Sequence, residues 1–362
     1  MIEQLKLKNF KCFESLNLDL KKLNVLMGLN GMGKSSVLQS LLLLRQSYQE
    51  NKLVGLKLNG RYVQLGNGSD ILAERAEEEE IGISLEGPEA VRTRFSYRAD
   101  SDLLDNQFPQ TDASADNVLF GERFAYLSAY RIEPKSLYRI TDEKELGQRE
   151  LGNTGEYALQ FLSQYGGQKI ENEQVLYSPS GEKSLAWNVS QWMSLIAPGI
   201  LPQVSVNKGN RNAELKYQFI MGEERSNAYK SVNVGFGITY VLPVIIELLS
   251  ARPGDLILLE NPEAHIHPAG QRHLGELLAC AAAGGVQIIV ETHSDHVLNG
   301  IRLAAKKRKA DCEDISIFFF DKDEEDGYRH RAERLPMDQE GNIEIWPRGF
   351  LDEWDNALLE LL

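Results

Sequence analysis

The chain is poor in cysteine, in long apolar runs and in positive charge. Its three cysteines, Cys12, Cys280 and Cys312, form no CxxC pair. Neither a disulfide framework nor a cysteine-based zinc site is expected, and the setting expected is reducing and cytoplasmic. No apolar stretch approaches the length of a membrane span, and the opening MIEQLKLKNF lacks the apolar core of a signal peptide. Lys and Arg number 39 against 53 Asp and Glu, a net charge of −14. That balance argues against a general polyanion-binding surface and leaves room only for a local basic patch. No repeat occurs at solenoid periods, and no heptad run is long enough for a coiled-coil arm. What is present is an ordinary globular composition, 42% hydrophobic and 25% charged over 362 residues, enough for one large domain or two modest ones.

Residues 2–27 read as strands. Leu5 and Leu7, then Leu16, Leu18 and Leu20, alternate with polar neighbours, and 23–27 is a short apolar run such as a buried strand carries. A glycine-rich turn at 28–33 leads into 34–49, where Val37, Leu38, Leu41, Leu42 and Leu44 give a helix a wide apolar face. Residues 53–65 and 81–97 suggest β-hairpins around an acidic run at 74–80, and the polar stretch 99–118 suggests a loop. A further strand is expected at 124–130, helices at 157–165, 191–196 and 235–250, and a strand at 214–221. From 254 strand and helix alternate: strands at 256–259, 286–290 and 315–320, helices at 269–283 and 294–309. An amphipathic helix is expected at 350–362. Two α/β portions, 1–50 and 250–320, thus flank a mixed or β-rich middle, and the simplest architecture is one core interrupted by an insertion.

Gly28-Leu29-Asn30-Gly31-Met32-Gly33-Lys34-Ser35 fits G-x-x-x-x-G-K-[ST], between a strand and a helix. Such a loop wraps phosphates with backbone N–H groups, lysine adds a point charge at the β/γ oxygens, and the serine hydroxyl coordinates Mg²⁺. The helix adds its positive end. A plain glycine turn before a surface helix is the competing reading.

The apolar run 256–259 ends in Glu260-Asn261-Pro262-Glu263. A carboxylate at the end of a strand beside a phosphate loop holds Mg²⁺ through water, which makes Glu260 the candidate. A second acid at the next position would take the proton of an attacking water. Asn261 cannot, and Glu263 is the nearest substitute. An acid capping a helix start is the alternative. His265 and His267, at i and i+2 beside Glu263, invite a zinc site, but no cysteine lies near, and a turn packed at a nucleotide site has the same look. The run 288–290 ends in Glu291-Thr292-His293-Ser294. There His293 can donate to a terminal phosphate, while Thr292 or Ser294 caps the next helix. Gly235 and Gly237 precede a helix containing Pro243. A cap near Thr239 would leave that proline at the end of the first turn, where it is tolerated, and a glycine-rich helix start is an anion site by geometry. The basic cluster 306–309 reads first as a solvated helix C-terminus and second as a contact for DNA or RNA phosphates. The acidic run 74–80 reads first as solvated loop and second as a docking patch.

Together these residues resemble the heads of ABC/SMC-type ATPases, in the order phosphate loop, signature-like glycines, Walker B strand, switch histidine. They resemble more closely the OLD-type AAA ATPases of prokaryotic defence and repair operons, in LKLKNFKCFESLNLDL, GLNGMGKSS, NVGFGITYVLP, ENPEAHIHPAGQ and VETHSDH. The tail GNIEIWPRGFLDEWD resembles a short uncharacterised C-terminal domain of stand-alone members. The resemblance implies an α/β fold: an ABC-type P-loop ATPase head with a mixed or parallel core sheet and flanking helices over 1–50 and 225–330. It adds an inserted β-rich and helical lobe over 51–224 and a short C-terminal segment at 331–362.

The resemblance also implies function. Gly28, Asn30, Gly31, Gly33, Lys34, Ser35 and Ser36 would form the nucleotide loop for ATP. Gln64 would link Mg²⁺ to the inserted lobe, with Ser35 and Glu260 as the other Mg²⁺ residues. Gly235 and Gly237 would meet the nucleotide of an opposite subunit, and Glu260, Asn261, Glu263 and His293 would serve catalysis. Glu260 replaces the usual Walker B Asp, Asn261 replaces the usual catalytic Glu, and the signature lacks its Ser-Gly-Gly core, so turnover is expected to be slow. The partners implied are a second copy, head to tail or in a higher oligomer, a separate effector from the same operon, and DNA or RNA, with no membrane. The alternative is a nucleotide-gated scaffold with little hydrolysis that holds or releases a toxin or nuclease. The stretch after His293 is too short for the Toprim domain of OLD nucleases. A self-contained Mg²⁺ nuclease at Asp321, Asp323 and Glu324 is the distant third reading.

Overall fold

The structure is a computed structural model that describes residues 1–108, 116–141, 150–323, 329–347, 350 and 358–361. The chain forms two compact units from interleaved segments: 1–124 with 313–338 and 342–362, and 125–312 with 339–341.

In the first unit an antiparallel sheet runs in the order Phe13–Asp19, Gln4–Phe10, Glu80–Glu86, Val91–Ser96. The alternation of the opening sequence sets its register. Leu5 stands opposite Leu18 and Leu85, and Leu7 opposite Leu16 and Ile83, all buried. Strand Leu23–Gly28 pairs in parallel with Ile315–Asp323, from Leu23 opposite Ile315 to Gly28 opposite Phe320, and Arg329–Leu335 adds on antiparallel. Residues 23–27 are buried on both faces, as a covered parallel strand requires.

Helix Lys34–Asn51 follows. Leu41, Leu42, Leu43 and Leu44 are all fully buried, so the helix is covered all round rather than along one stripe. Each such leucine contributes roughly 1.5–3 kcal/mol. Several of its buried polar groups are matched. Arg45 donates to the carbonyls of Leu119 and Gly121 and to the Tyr62 hydroxyl, and its guanidinium lies 4.0 Å from the Phe124 ring centre. Ser47 accepts the Lys57 N–H at 2.8 Å, and Gln46 donates to the Lys57 carbonyl.

Residues 53–65 turn back on themselves only over 58–65, where the Leu65 N–H donates to the Leu58 carbonyl at 3.0 Å. Gly55–Lys57 pairs instead with Leu103–Asp105, and an isolated bridge joins Asn59 to Gln64. The stretch 99–118 is accordingly not all loop: the buried Asn106 amide donates to the Leu53 carbonyl, and 109–115 lie outside the described residues. The 81–97 hairpin forms as Glu80–Glu86 with Val91–Ser96. The acidic run is anchored at its end, with Glu78 paired to Lys8 and Glu80 to Arg94. Most of the expected helix 350–362 also lies outside the described residues.

In the second unit Leu256–Glu260 and Gln287–Glu291 pair in parallel, from Leu256 opposite Gln287 to Glu260 opposite Glu291, with Phe124–Leu127 beside the former. Helices Pro268–Ala283 and Asp295–Lys306 touch backbone to backbone: a Cβ added at Gly275 would lie 2.0 Å from the Val297 carbonyl oxygen, and one at Gly300 2.0 Å from that of Arg272. A second antiparallel sheet pairs Asn212–Met221 with Ile200–Asn207. Helix Leu185–Ile196 begins six residues before the expected 191. The basic cluster is largely committed to ion pairs. Lys309 and Lys307 reach the buried Glu276 at 2.6 and 3.7 Å, and Arg308 reaches Glu340. Among the described residues no helix is long and apolar enough to cross a membrane.

Candidate functional site

In the first unit the apolar strand Leu23–Gly28 stops at a loop that only glycine can close. Gly28, Gly31 and Gly33 have φ of 136°, 77° and 101°, where L side chains are strained. Close approach adds to the requirement. A Cβ at Gly28 would lie 2.2 Å from the Phe320 carbonyl oxygen, and one at Gly33 2.4 Å from the Phe13 ring. Gly28→Ala should therefore destabilise the protein by about 3 kcal/mol or more, combining backbone strain with a clash against backbone, and denaturant unfolding would read it.

Lys34 is only 3% exposed, and its Nζ donates to the carbonyls of Gly28 at 2.9 Å and Leu29 at 2.7 Å. The ammonium thus sits within the curl of the loop. Gly33 stands at the N-cap of the helix and, as a glycine, brings no side-chain cap to it. Asn30 and Ser35 are exposed, while Ser36 is buried with its N–H on the Gly33 carbonyl at 3.0 Å. Gln64 is exposed and bridges Asn59. The Cys12 thiol stands against Gly33 and hydrogen-bonds Ser36; burial pushes its pKa up.

In the second unit two parallel strands deliver their polar ends to one level, Glu260 beside Glu291. The Glu260 carboxylate is held on both oxygens: Oε1 accepts from the Tyr126 hydroxyl at 3.0 Å and Oε2 from the Ala129 N–H at 3.0 Å. Burial first, then the Glu260 charge, pushes the Tyr126 phenol far above its ordinary pKa, so it stays a donor. Arg131, 5% exposed, donates through Nη2 to the carbonyls of Glu260 and Asn261. Its guanidinium lies 4.8 Å from the Tyr240 ring centre, and burial lowers its pKa to about 10, leaving it a cation at neutral pH.

Asn261 takes φ of 42°, a left-handed turn residue, and its N–H donates to the Glu291 carbonyl at 2.8 Å. Glu263 is 7% exposed. Its Oε1 accepts the His293 N–H at 3.1 Å, and burial raises its pKa. The His293 side chain is exposed, and Ser294 caps the next helix through the Val297 N–H. The structure thus brings Glu260, Asn261, Glu263 and the His293 backbone together. It adds Tyr126, Ala129 and Arg131, which the sequence reading missed. Their only local signal is an arginine closing the apolar segment 124–131, and such a signal does not distinguish a buried arginine from an exposed one.

The helix carrying Gly237 is Phe236–Ser250, capped by Gly235 rather than near Thr239. Pro243 therefore lies in the helix interior. It is accommodated beside Gly155, which has φ of 73° and leaves room for the proline ring. Gly237 packs so closely on the strand-end turn that a Cβ would lie 2.0 Å from the His265 carbonyl oxygen, and the rings of Phe236 and Tyr240 stand edge-on to His265. Gly237→Ala should push this turn and the helix apart and cost about 1–3 kcal/mol, read as a lower unfolding midpoint. His267 caps helix Pro268–Ala283, its Nδ1 accepting the Ala269 N–H. Asp321 and Asp323 both bind Arg331, and Glu324 lies outside the described residues.

A family model described as an AAA domain, putative AbiEii toxin, type IV toxin–antitoxin system, matches residues 23–299. A second model, for a family of unknown function, matches 311–361. No curated protein matches the chain. Among solved structures, the SMC head bound to the C-winged-helix domain of ScpA aligns with a TM-score of 0.51 at 15% identity, over 92% of this chain and 97% of that one. The SMC head of Pyrococcus furiosus with an extended coiled coil, bound to the C-terminal domain of ScpA, gives 0.48 at 14% identity, over 99% of each chain. The SMC head of Thermotoga maritima gives 0.46 at 12%, over 92% and 98%. The first likeness is one of fold, a mixed α/β core of parallel strands and helices. The family match runs from the strand before the glycine loop through the second acid strand and so covers well over half of the sequence: the chain belongs to this AAA domain family.

Proposed function

We propose that this protein binds Mg²⁺-ATP on the loop 28–36 and hydrolyses it slowly, and that the nucleotide gates association with a second copy. The observation that carries the reading is Lys34, an ammonium buried among main-chain carbonyls in a three-glycine loop before an uncapped helix. Burying that charge costs several kcal/mol, and an anion held on the same loop repays it.

The residues suit the group. Gly28, Asn30, Gly31, Gly33 and Ser36 would shape the phosphate cradle, and Ser35, Glu260 and Gln64 would hold Mg²⁺, a hard cation that takes oxygen ligands. When bound, the metal neutralises charge building on the phosphate oxygens. Tyr126 and Ala129 orient the Glu260 carboxylate. Glu263 is the residue that accepts a proton, because Asn261 has no basic group, and His293 reports the terminal phosphate. Gly235 and Gly237, at an exposed helix start flanked by exposed Val232 and Phe236, would meet the nucleotide of the opposite subunit.

The OLD-type affiliation, the core over 1–50 and 225–330 with its insertion at 51–224, and a cytoplasmic defence role with a separate effector or with DNA or RNA belong to the same proposal. They rest on the family resemblance. Asn261 favours a second reading, a nucleotide-gated scaffold with little turnover.

Phosphate release with Mg²⁺ and ATP, alongside sedimentation with and without nucleotide, tests both. Turnover with an ATP-dependent mass supports the first reading, and ATP binding without turnover supports the second. A single nucleotide-independent mass counts against gated association.

A further inference from the structure

Helices Pro268–Ala283 and Asp295–Lys306 meet where Gly275 and Gly300 let their backbones touch. Beside Gly275 stands Glu276, an acid only 5% exposed. The Lys309 Nζ binds its Oε1 at 2.6 Å. Burial works to raise the Glu276 pKa, but the Lys309 hydrogen bond and the charges of Lys309 and Lys307 outweigh it, so the carboxylate stays ionised. One lysine is enough to neutralise one acid.

Two further cations gather on the same carboxylate. Lys307 Nζ stands 3.7 Å away and Arg272 Nη1 4.0 Å away. Both lie beyond hydrogen-bond reach, with side chains 49% and 36% exposed. Ion pairs this open contribute little to stability, so stability does not account for the gathering. Arg272 Nη2 also donates to His273 Nε2 at 2.7 Å, which fixes the guanidinium. Burial first, then the Arg272 charge, lowers the His273 pKa, so the ring adds no charge of its own at neutral pH. Three cations thus face one anion. Lys309 answers Glu276, and Arg272 and Lys307 are left in excess on a chain whose net charge is −14. Lys306, exposed on the last turn of its helix, is next to them in the chain.

Excess positive charge held open to solvent is complementary to an anion. Cations this exposed meet a ligand along its length instead of enclosing it. A nucleic acid places a negative charge on every nucleotide, so several adjacent cations can engage it at once. We propose that Arg272, Lys306 and Lys307, held together about Glu276 and Lys309, contact the phosphodiester backbone of a nucleic acid. Such contacts position the backbone and carry no sequence information. The site rests on the nucleic-acid partner in the reading above and is independent of ATP hydrolysis.

Fluorescence anisotropy of the full chain with a labelled DNA duplex, read across a salt series, tests the site. Three phosphate contacts give a slope of about −2.7 in log affinity against log salt, so affinity should fall about fortyfold between about 50 and 200 mM salt. Lys307→Ala removes one contact, and the fall should shrink to about twelvefold, equally on unrelated sequences. Lys307→Glu should bind more weakly still. Neither change should alter ATP turnover or the unfolding midpoint, and Lys34→Ala should bind the duplex as wild type does. Three results would each overturn the proposal: no binding at about 50 mM salt, an unchanged salt dependence in Lys307→Ala, or displacement of the duplex by polyglutamate as readily as by unlabelled duplex, which would mark an acidic polypeptide as the partner. A protein that binds DNA in this way but not ATP sinks the nucleotide reading alone. One that turns over ATP without binding DNA sinks this proposal alone.

Discussion

Lys34→Ala is expected to remove ATP binding and turnover together, by at least about a hundredfold, the order of effect of deleting one preorganised charged or polar donor. The side chain is placed in advance: its Nζ is fixed on two loop carbonyls, so little ordering remains to be done when phosphate arrives. The fold itself should tolerate the change, since alanine relieves the desolvation of a buried ammonium. Calorimetric titration with ATP reads the affinity, and an unfolding midpoint at or above that of wild type shows that the loss is local. An affinity within about twofold of wild type would mean that the loop is not the nucleotide site.

Glu263→Gln should separate binding from chemistry. The amide keeps the volume and the acceptor for the His293 N–H, and loses the ability to take a proton. A positioned general base is worth roughly 10²–10⁴ in rate, so kcat should fall by that order while ATP affinity is retained. The pH profile provides a second reading. Burial raises the pKa of Glu263, so the wild-type rate should decline on acidification at a higher pH than an ordinary carboxylate would impose, as the base becomes protonated. The residual rate of Glu263→Gln should lack that limb. Undiminished turnover in the variant would place the base elsewhere.

The parts of the site that lie along one stretch of chain were readable in advance. The phosphate loop announces itself as strand, three glycines, lysine and helix, and each acid strand as an apolar run with a polar end. What the residues concealed is non-local. Arg131 meets Glu260 and Asn261 across about 130 positions, and no local periodicity encodes such a meeting. Strand Ile200–Asn207 is not among the expected elements; it carries Pro202, which stands in register opposite Tyr217. The helix stands where 235–250 places it, and a cap near Thr239 was suggested only by judging Pro243 on chain-local rules. A glycine from a distant segment, Gly155, leaves the room it needs, so tertiary context overrode propensity.

The strand that carries the phosphate loop takes its parallel neighbour from Ile315–Asp323, and this bears on the order in which a nascent protein can acquire activity. While the chain is being made, Leu23–Gly28 emerges early and waits for this neighbour through the synthesis of most of the second unit. Gly28 can meet Phe320 only after residue 320 has been made. Closing so long a loop is slow, and an unpaired apolar edge invites association with other chains. Completion of the glycine loop's support is therefore a late event in biogenesis, and a ribosome stalled before residue 315 would present that loop with its strand still lacking this neighbour.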